Sequence, residues 1–155
     1  MSSRTRAQLL TLGALVLALA VTANAQPQER AACAPTAQLA VQTIDISTDA
    51  TPQGVNTVPD PACVKRSGNV FWTSTQGDWD TDFSPSSPFS SGARGHVGKA
   101  GQTHGDQVKP CTKSDKNYNP KRGGCVYKYS VRLTPKGGKQ RHKDPEIIIE
   151  PELGQ

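Results

Sequence analysis

The chain has 155 residues and a formal charge of +5 at pH 7, with 34% hydrophobic and only 5% aromatic residues. That length suits one modest domain rather than several. Beyond the N-terminal segment, no apolar run is long enough to span a bilayer.

Residues 1–25 read as a cleavable export signal. Arg4 and Arg6 supply a positive start, residues 9–21 form an apolar run, and Ala23-Asn24-Ala25 is a small-x-small cleavage site. The run falls short of the roughly 20 residues a membrane helix needs. Cys33 makes a poor lipid-attachment site, because Glu29-Arg30-Ala31-Ala32 lacks the apolar residue such a site requires. The leader looks bacterial, so the expected address is the periplasm or the medium. Export would leave 130 residues (155 − 25), with a charge of 16 − 13 = +3 once Arg4 and Arg6 depart.

Residues 26–37 are polar, carry Pro27 and Pro35, and are expected to be a flexible segment tethered at Cys33. Strand character begins near Gln38. Leu39 and Val41 alternate, then Ile44 and Ile46 alternate on the opposite parity, which predicts a bulge or a step between sheets. Residues 47–61 read as loop, with a short strand near 55–58. Arg66-Ser67-Gly68-Asn69 has tight-turn composition and leads into Val70-Phe71-Trp72-Thr73-Ser74, apolar enough at its start for a central strand. Residues 78–83 alternate strictly, with Trp79, Thr81 and Phe83 on one face and Asp78, Asp80 and Asp82 on the other. Residues 84–110, rich in Ser, Gly, Pro and Lys, read as one long loop. Residues 113–122 form a basic loop. In residues 123–133, Cys125, Tyr127, Tyr129, Val131 and Leu133 share one face of a strand. A basic turn over 136–143 then leads to Ile147, Ile148 and Ile149, fenced by Pro145 and Pro151 and suited to a strand buried on both sides.

No stretch keeps helical spacing for more than one turn. The expected architecture over residues 38–151 is all-β: one antiparallel Greek-key sandwich of about six to eight strands. Four cysteines in an oxidising compartment predict two disulfides, with three connectivities open. Cys111–Cys125 is favoured, since these residues flank a Lys- and Gly-rich loop that needs closing, and this leaves Cys33–Cys63. A link of that kind contributes roughly 3 kcal/mol in the chain-entropy model. No C-x-x-C or tight Cys/His pair supports zinc instead.

Three fragments resemble the cupredoxin-like β-sandwich. Lys65-Arg66-Ser67-Gly68-Asn69-Val70-Phe71-Trp72 is similar to a strand–turn–strand with a basic-Gly-Asn turn before Val-x-Trp. Gly124-Cys125-Val126-Tyr127-Lys128-Tyr129-Ser130-Val131 is similar to the penultimate strand, and Asp144-Pro145-Glu146-Ile147-Ile148-Ile149 to the closing strand of small exported, copper-free members. The likeness covers residues 63–83 and 123–151. It implies a sandwich without copper: blue copper needs two His, a thiolate and usually a Met near the last strand, and the loop there holds only His142.

Several constellations bear on function. Asp78-x-Asp80-x-Asp82 lacks the Gly and Glu of an EF-hand, having Phe83 and Phe89 at those positions, so it reads as a solvated strand face. His96, His104 and Asp106 could hold Zn²⁺ or Cu²⁺ weakly from a loop. No G-x-S-x-G elbow is present, and three aspartates on one strand face do not make a glycosidase pair. Lys113, Lys116, Lys121 and Arg122 form one basic group and Lys139, Arg141 and Lys143 another. Projecting from one end of the sandwich, they would make an anion-binding patch. The expectation is an exported, non-catalytic binding module without a cofactor. Its partner would be an anionic envelope polymer or another exported protein rather than nucleic acid, for which too few aromatics are present. The alternative is a weak Cu/Zn handler using the loop histidines.

Overall fold

A computed structural model describes residues 32–34, 37–51 and 54–152. The signal segment 1–25 and most of 26–37 lie outside the described residues. Among the described residues, eleven strands form two sheets. Three strands are only two or three residues long, so eight longer ones remain of the six to eight expected.

The first sheet runs β2 (Val55–Val58), β1 (Leu39–Thr48), β3 (Ala62–Thr73), β11 (Glu146–Ile149), β8 (Gly124–Lys128) and β7 (Tyr118–Asn119), with β6 (Thr103–Gln107) also on β3. The second runs β10 (Arg141–Lys143), β9 (Ser130–Pro135), β4 (Gly77–Asp82) and β5 (Val97–Gly98). Most pairs are antiparallel, but β3 lies parallel to both β1 and β11, so the first sheet is mixed rather than purely antiparallel. Long β3 makes this possible: Ala62–Val64 pair with β11, and Asn69–Thr73 pair with β6 on the same side.

Residues 66–69 do not form a turn between two strands. They form a bulge inside β3, where the register against β1 jumps from Leu39↔Val64 to Val41↔Asn69. Ser67 there takes a left-handed φ of 54°, and a Cβ at Gly68 would stand 2.7 Å from the Ala40 carbonyl. The parity switch expected in β1 is absent. Gln42, Ile44 and Ile46 all point inward, while Leu39 and Val41 are about half exposed on the outer face. Burial of the two isoleucines sets the strand's facing, and the earlier pair takes the other side.

The run 124–135 stays alternating yet changes sheet at Tyr129. Its first half pairs with β11 and its second with β10, and the Tyr129 N–H bonds the Pro145 carbonyl (3.2 Å) between them. The hairpin expected here therefore exists, but both its arms fold over the corner of the sandwich. Cys125, Tyr127, Tyr129, Val131 and Leu133 all face the core. Ile147, Ile148 and Ile149 are fully buried, as expected of a two-sided strand.

Residues 84–110 are not a featureless loop. They contain β5 and β6, and Phe89 and Val108, linked by an isolated bridge, are buried. Both disulfides form as expected, Cys33–Cys63 and Cys111–Cys125, each with Cα atoms 5.7 Å apart. No helix among the described residues is long and apolar enough to cross a membrane.

Candidate functional site

The loop closed by Cys111–Cys125 is ordered by its own polar groups. The Asp115 carboxylate accepts from the Asn117 N–H (2.8 Å) and side-chain amide (3.1 Å), and the Tyr118 N–H bonds the Asp115 carbonyl (2.8 Å). Asn119 then caps a 3-10 turn, Pro120–Arg122, by accepting the Lys121 N–H (3.0 Å), and Gly123 ends it at φ 79°. The Val126 N–H bonds the Asn117 carbonyl (2.8 Å) and fastens the loop along β8.

These constraints shape a groove of about 570 Å³. Ser84 and Ser86, Lys116, Tyr118 and Asn119, and Val126 and Lys128 of β8 line it. No Asp or Glu lines it. Asp115 and Glu146 are nearby but occupied. Asp115 accepts from the Tyr127 hydroxyl (3.3 Å), and Glu146 is buried against Arg122 (2.6 Å). Burial above all pushes the Tyr127 hydroxyl up to about 12, the Asn117 hydrogen bond pulling down and Asp115 pushing further up, so it stays a donor. Lys109 Nζ sits 5.3 Å from the Tyr127 ring centroid.

The basic residues singled out in the sequence are not all brought together. Lys116 lines the groove, with Lys113 and Lys121 exposed on the same loop. Arg122 is turned into the interior by its ion pair with Glu146. Lys143 pairs with Asp60 (3.1 Å), and Arg141 donates to the carbonyls of Thr51 and Gly54 (3.3 and 3.4 Å). Lys139 is exposed on the β9–β10 turn. The two basic loops leave from opposite ends of the β8–β9 run, so they do not form one patch. Lys128 is the cation that reasoning about loops alone passed over. It lies in β8, is 77% exposed, and falls on the outward parity of that alternating run.

His96, His104 and Asp106 do lie close enough for the charges of His104 and Asp106 to bear on His96. His104 lies opposite Trp72 in register and Asp106 opposite Val70. They are not arranged as a ligand set. His96 stacks on Trp72 (5.4 Å, 24°) and meets Phe89 edge-on (5.2 Å), His104 sits 6.1 Å from Trp79, and Asp106 accepts from Ser91 and from the Gln107 N–H. Among the described residues, no group of three or more His, Cys, Asp or Glu side chains is placed to hold a metal ion. A second groove of about 450 Å³ beside Trp79 and His104 has its carboxylates engaged, Asp78 by Lys99 (2.7 Å) and Asp80 by Arg132 (2.6 Å). With Asp82 accepting from the Ser84 N–H, the aspartate row is a solvent-facing strand surface.

His96 gives a pH dependence. Its Nε2 is buried without a partner among the described residues, and burial, with His104 adding to it and Asp106 opposing, holds its pKa below the ordinary 6.5. Above pH 6.5 both folded and unfolded forms carry a neutral ring and nothing is lost. As pH falls through 6.5 the unfolded chain takes the proton first, so stability declines until the folded ring titrates too. The melting temperature should fall between pH 6.5 and 5, and His96→Gln should flatten that slope. An unchanged slope in the variant would show that another group is responsible.

No family model, curated protein or solved structure matches this chain.

Proposed function

We propose that this protein is a non-catalytic binding module for anionic polymers, exported to an oxidising compartment, and that the groove between residues 84–86, 116–119 and β8 is where it binds. The carrying observation is the groove's lining: two lysines with hydroxyl and amide groups, and no carboxylate. Such a surface attracts a polyanion and offers it no repulsion. Two formed disulfides support export, since they persist where thiols are not kept reduced. Of the three fragments similar to copper-free cupredoxin-like proteins, the third falls at β11, whereas the first holds a bulge within β3 rather than a strand–turn–strand and the second divides between β8 and β9.

Lys116→Glu/Lys128→Glu should weaken binding to dextran sulfate at least tenfold and lower the melting temperature only modestly, because both side chains are exposed and Lys128, 3.9 Å from Glu146, is not that carboxylate's principal countercharge. Affinity of the unaltered protein should fall steeply between 50 and 200 mM salt, as screening and counterion release require. Affinity indifferent to both the charge reversal and salt would refute the assignment.

A further inference from the structure

The groove's uncharged groups narrow the ligand class, on the assumption that the polyanion reading above holds. We infer that the ligand is an anionic polysaccharide, a chain of uronic or sulfated sugars, rather than an acidic polypeptide or a polyphosphate. Ser84, Ser86 and Tyr118 line the groove, and their hydroxyls make no hydrogen bond to a described residue; Ser84 uses only its backbone N–H, toward Asp82. Each can donate and accept, so each can meet a sugar hydroxyl in either sense, whereas phosphate oxygens use only the donor half. Tyr118 is half-buried and packs against the core, and Val126 is partly buried beside it in the lining. A held ring next to an aliphatic side chain offers an apolar surface to the C–H face of a pyranose, together with a polar tip for its hydroxyls.

The charges agree. Both lining cations are lysines, which neutralise as point charges, and Arg122, on the same loop as Lys116, is committed to Glu146. A compact phosphate would favour the bidentate fork of an arginine, which this groove does not present. Carboxylates or sulfates spaced one sugar apart need only neutralisation. An acidic polypeptide would meet the same lysines but would leave the three hydroxyls without the hydroxyl partners they match.

The test compares oligogalacturonate with polyglutamate of equal charge number, by calorimetry at 50 mM salt. Oligogalacturonate should bind at least tenfold more tightly, and Tyr118→Leu should cost it tenfold more than it costs polyglutamate. Neutral dextran should not compete. Equal affinities for the two polymers, or a Tyr118→Leu loss equal for both, would overturn the polysaccharide assignment. If Lys116→Glu/Lys128→Glu still weakens both, the polyanion reading survives that outcome. If the lysine reversal changes neither, the polyanion reading fails, and the polysaccharide assignment with it.

Discussion

Trp72→Ala should lower the unfolding free energy by about 3–5 kcal/mol, the range for emptying a large aromatic site in a close-packed core. Trp72 is fully buried, and its ring touches Phe83, Phe89 and Tyr129 at centroid distances of 5.7, 5.8 and 5.9 Å, besides the stacked His96. Its indole N–H also donates to the Tyr129 hydroxyl (3.2 Å), a group whose burial pushes its pKa well up, so that it stays protonated. Truncation therefore opens a cavity where the two sheets meet and strips a buried hydroxyl of its donor. Trp72→Phe keeps part of the ring but not the N–H, and should cost about 1–3 kcal/mol, the penalty for an unsatisfied buried polar group. Urea unfolding followed by Trp79 fluorescence separates these values. A loss below about 1 kcal/mol for the alanine variant, well under the large-to-small range, would mean that the core is not assembled around this ring.

The second large effect lies under the groove. Glu146 is 2% exposed and meets Arg122 at 2.6 Å, with Lys128 farther off at 3.9 Å. Arg122→Met should destabilise by about 3–5 kcal/mol, because it leaves a buried carboxylate without its principal countercharge. Adding Glu146→Leu to that variant should recover most of the loss, since the desolvation penalty then disappears with the charge. Equilibrium unfolding of the two single variants and the double variant closes the cycle. A double variant no more stable than Arg122→Met would assign the pair a role beyond charge compensation. This pair also turns the charge of Arg122, basic and loop-borne in the sequence, into the molecule.

The sequence spoke most clearly where side chains alternate over a buried face. Residues 78–83 and 125–133 were legible because every second position faces the core and the others face water. The passage of the second run from one sheet to the other was not legible. A strand bending over the corner of a sandwich keeps its inward parity, so the pattern looks the same on either side of Tyr129. β6 was hidden for a different reason. Thr103-His104-Gly105-Asp106-Gln107 has no apolar residue, and its strand conformation comes from pairing with β3 rather than from burial of its own side chains.

The misplaced basic patch could have been avoided from the sequence itself. A hairpin pairing 123–133 with 147–149 already puts its turn, residues 136–143, at the end away from the loop before residue 123. Lys128, which lines the groove, was visible as an outward position in the same run. The walls at Ser84 and Ser86 had no such signal, because their place beside the 116–119 loop depends on how the chain leaves β4 for the other sheet.

The most direct measurement is a ¹H–¹⁵N NMR titration of the disulfide-bonded protein with oligogalacturonate at low salt. The account predicts shifts confined to the amides of residues 84, 86, 116–119 and 126–128, reversed by added salt. Shifts centred instead on the β5–β6 side around His104, or on the turn carrying Lys139, would contradict it.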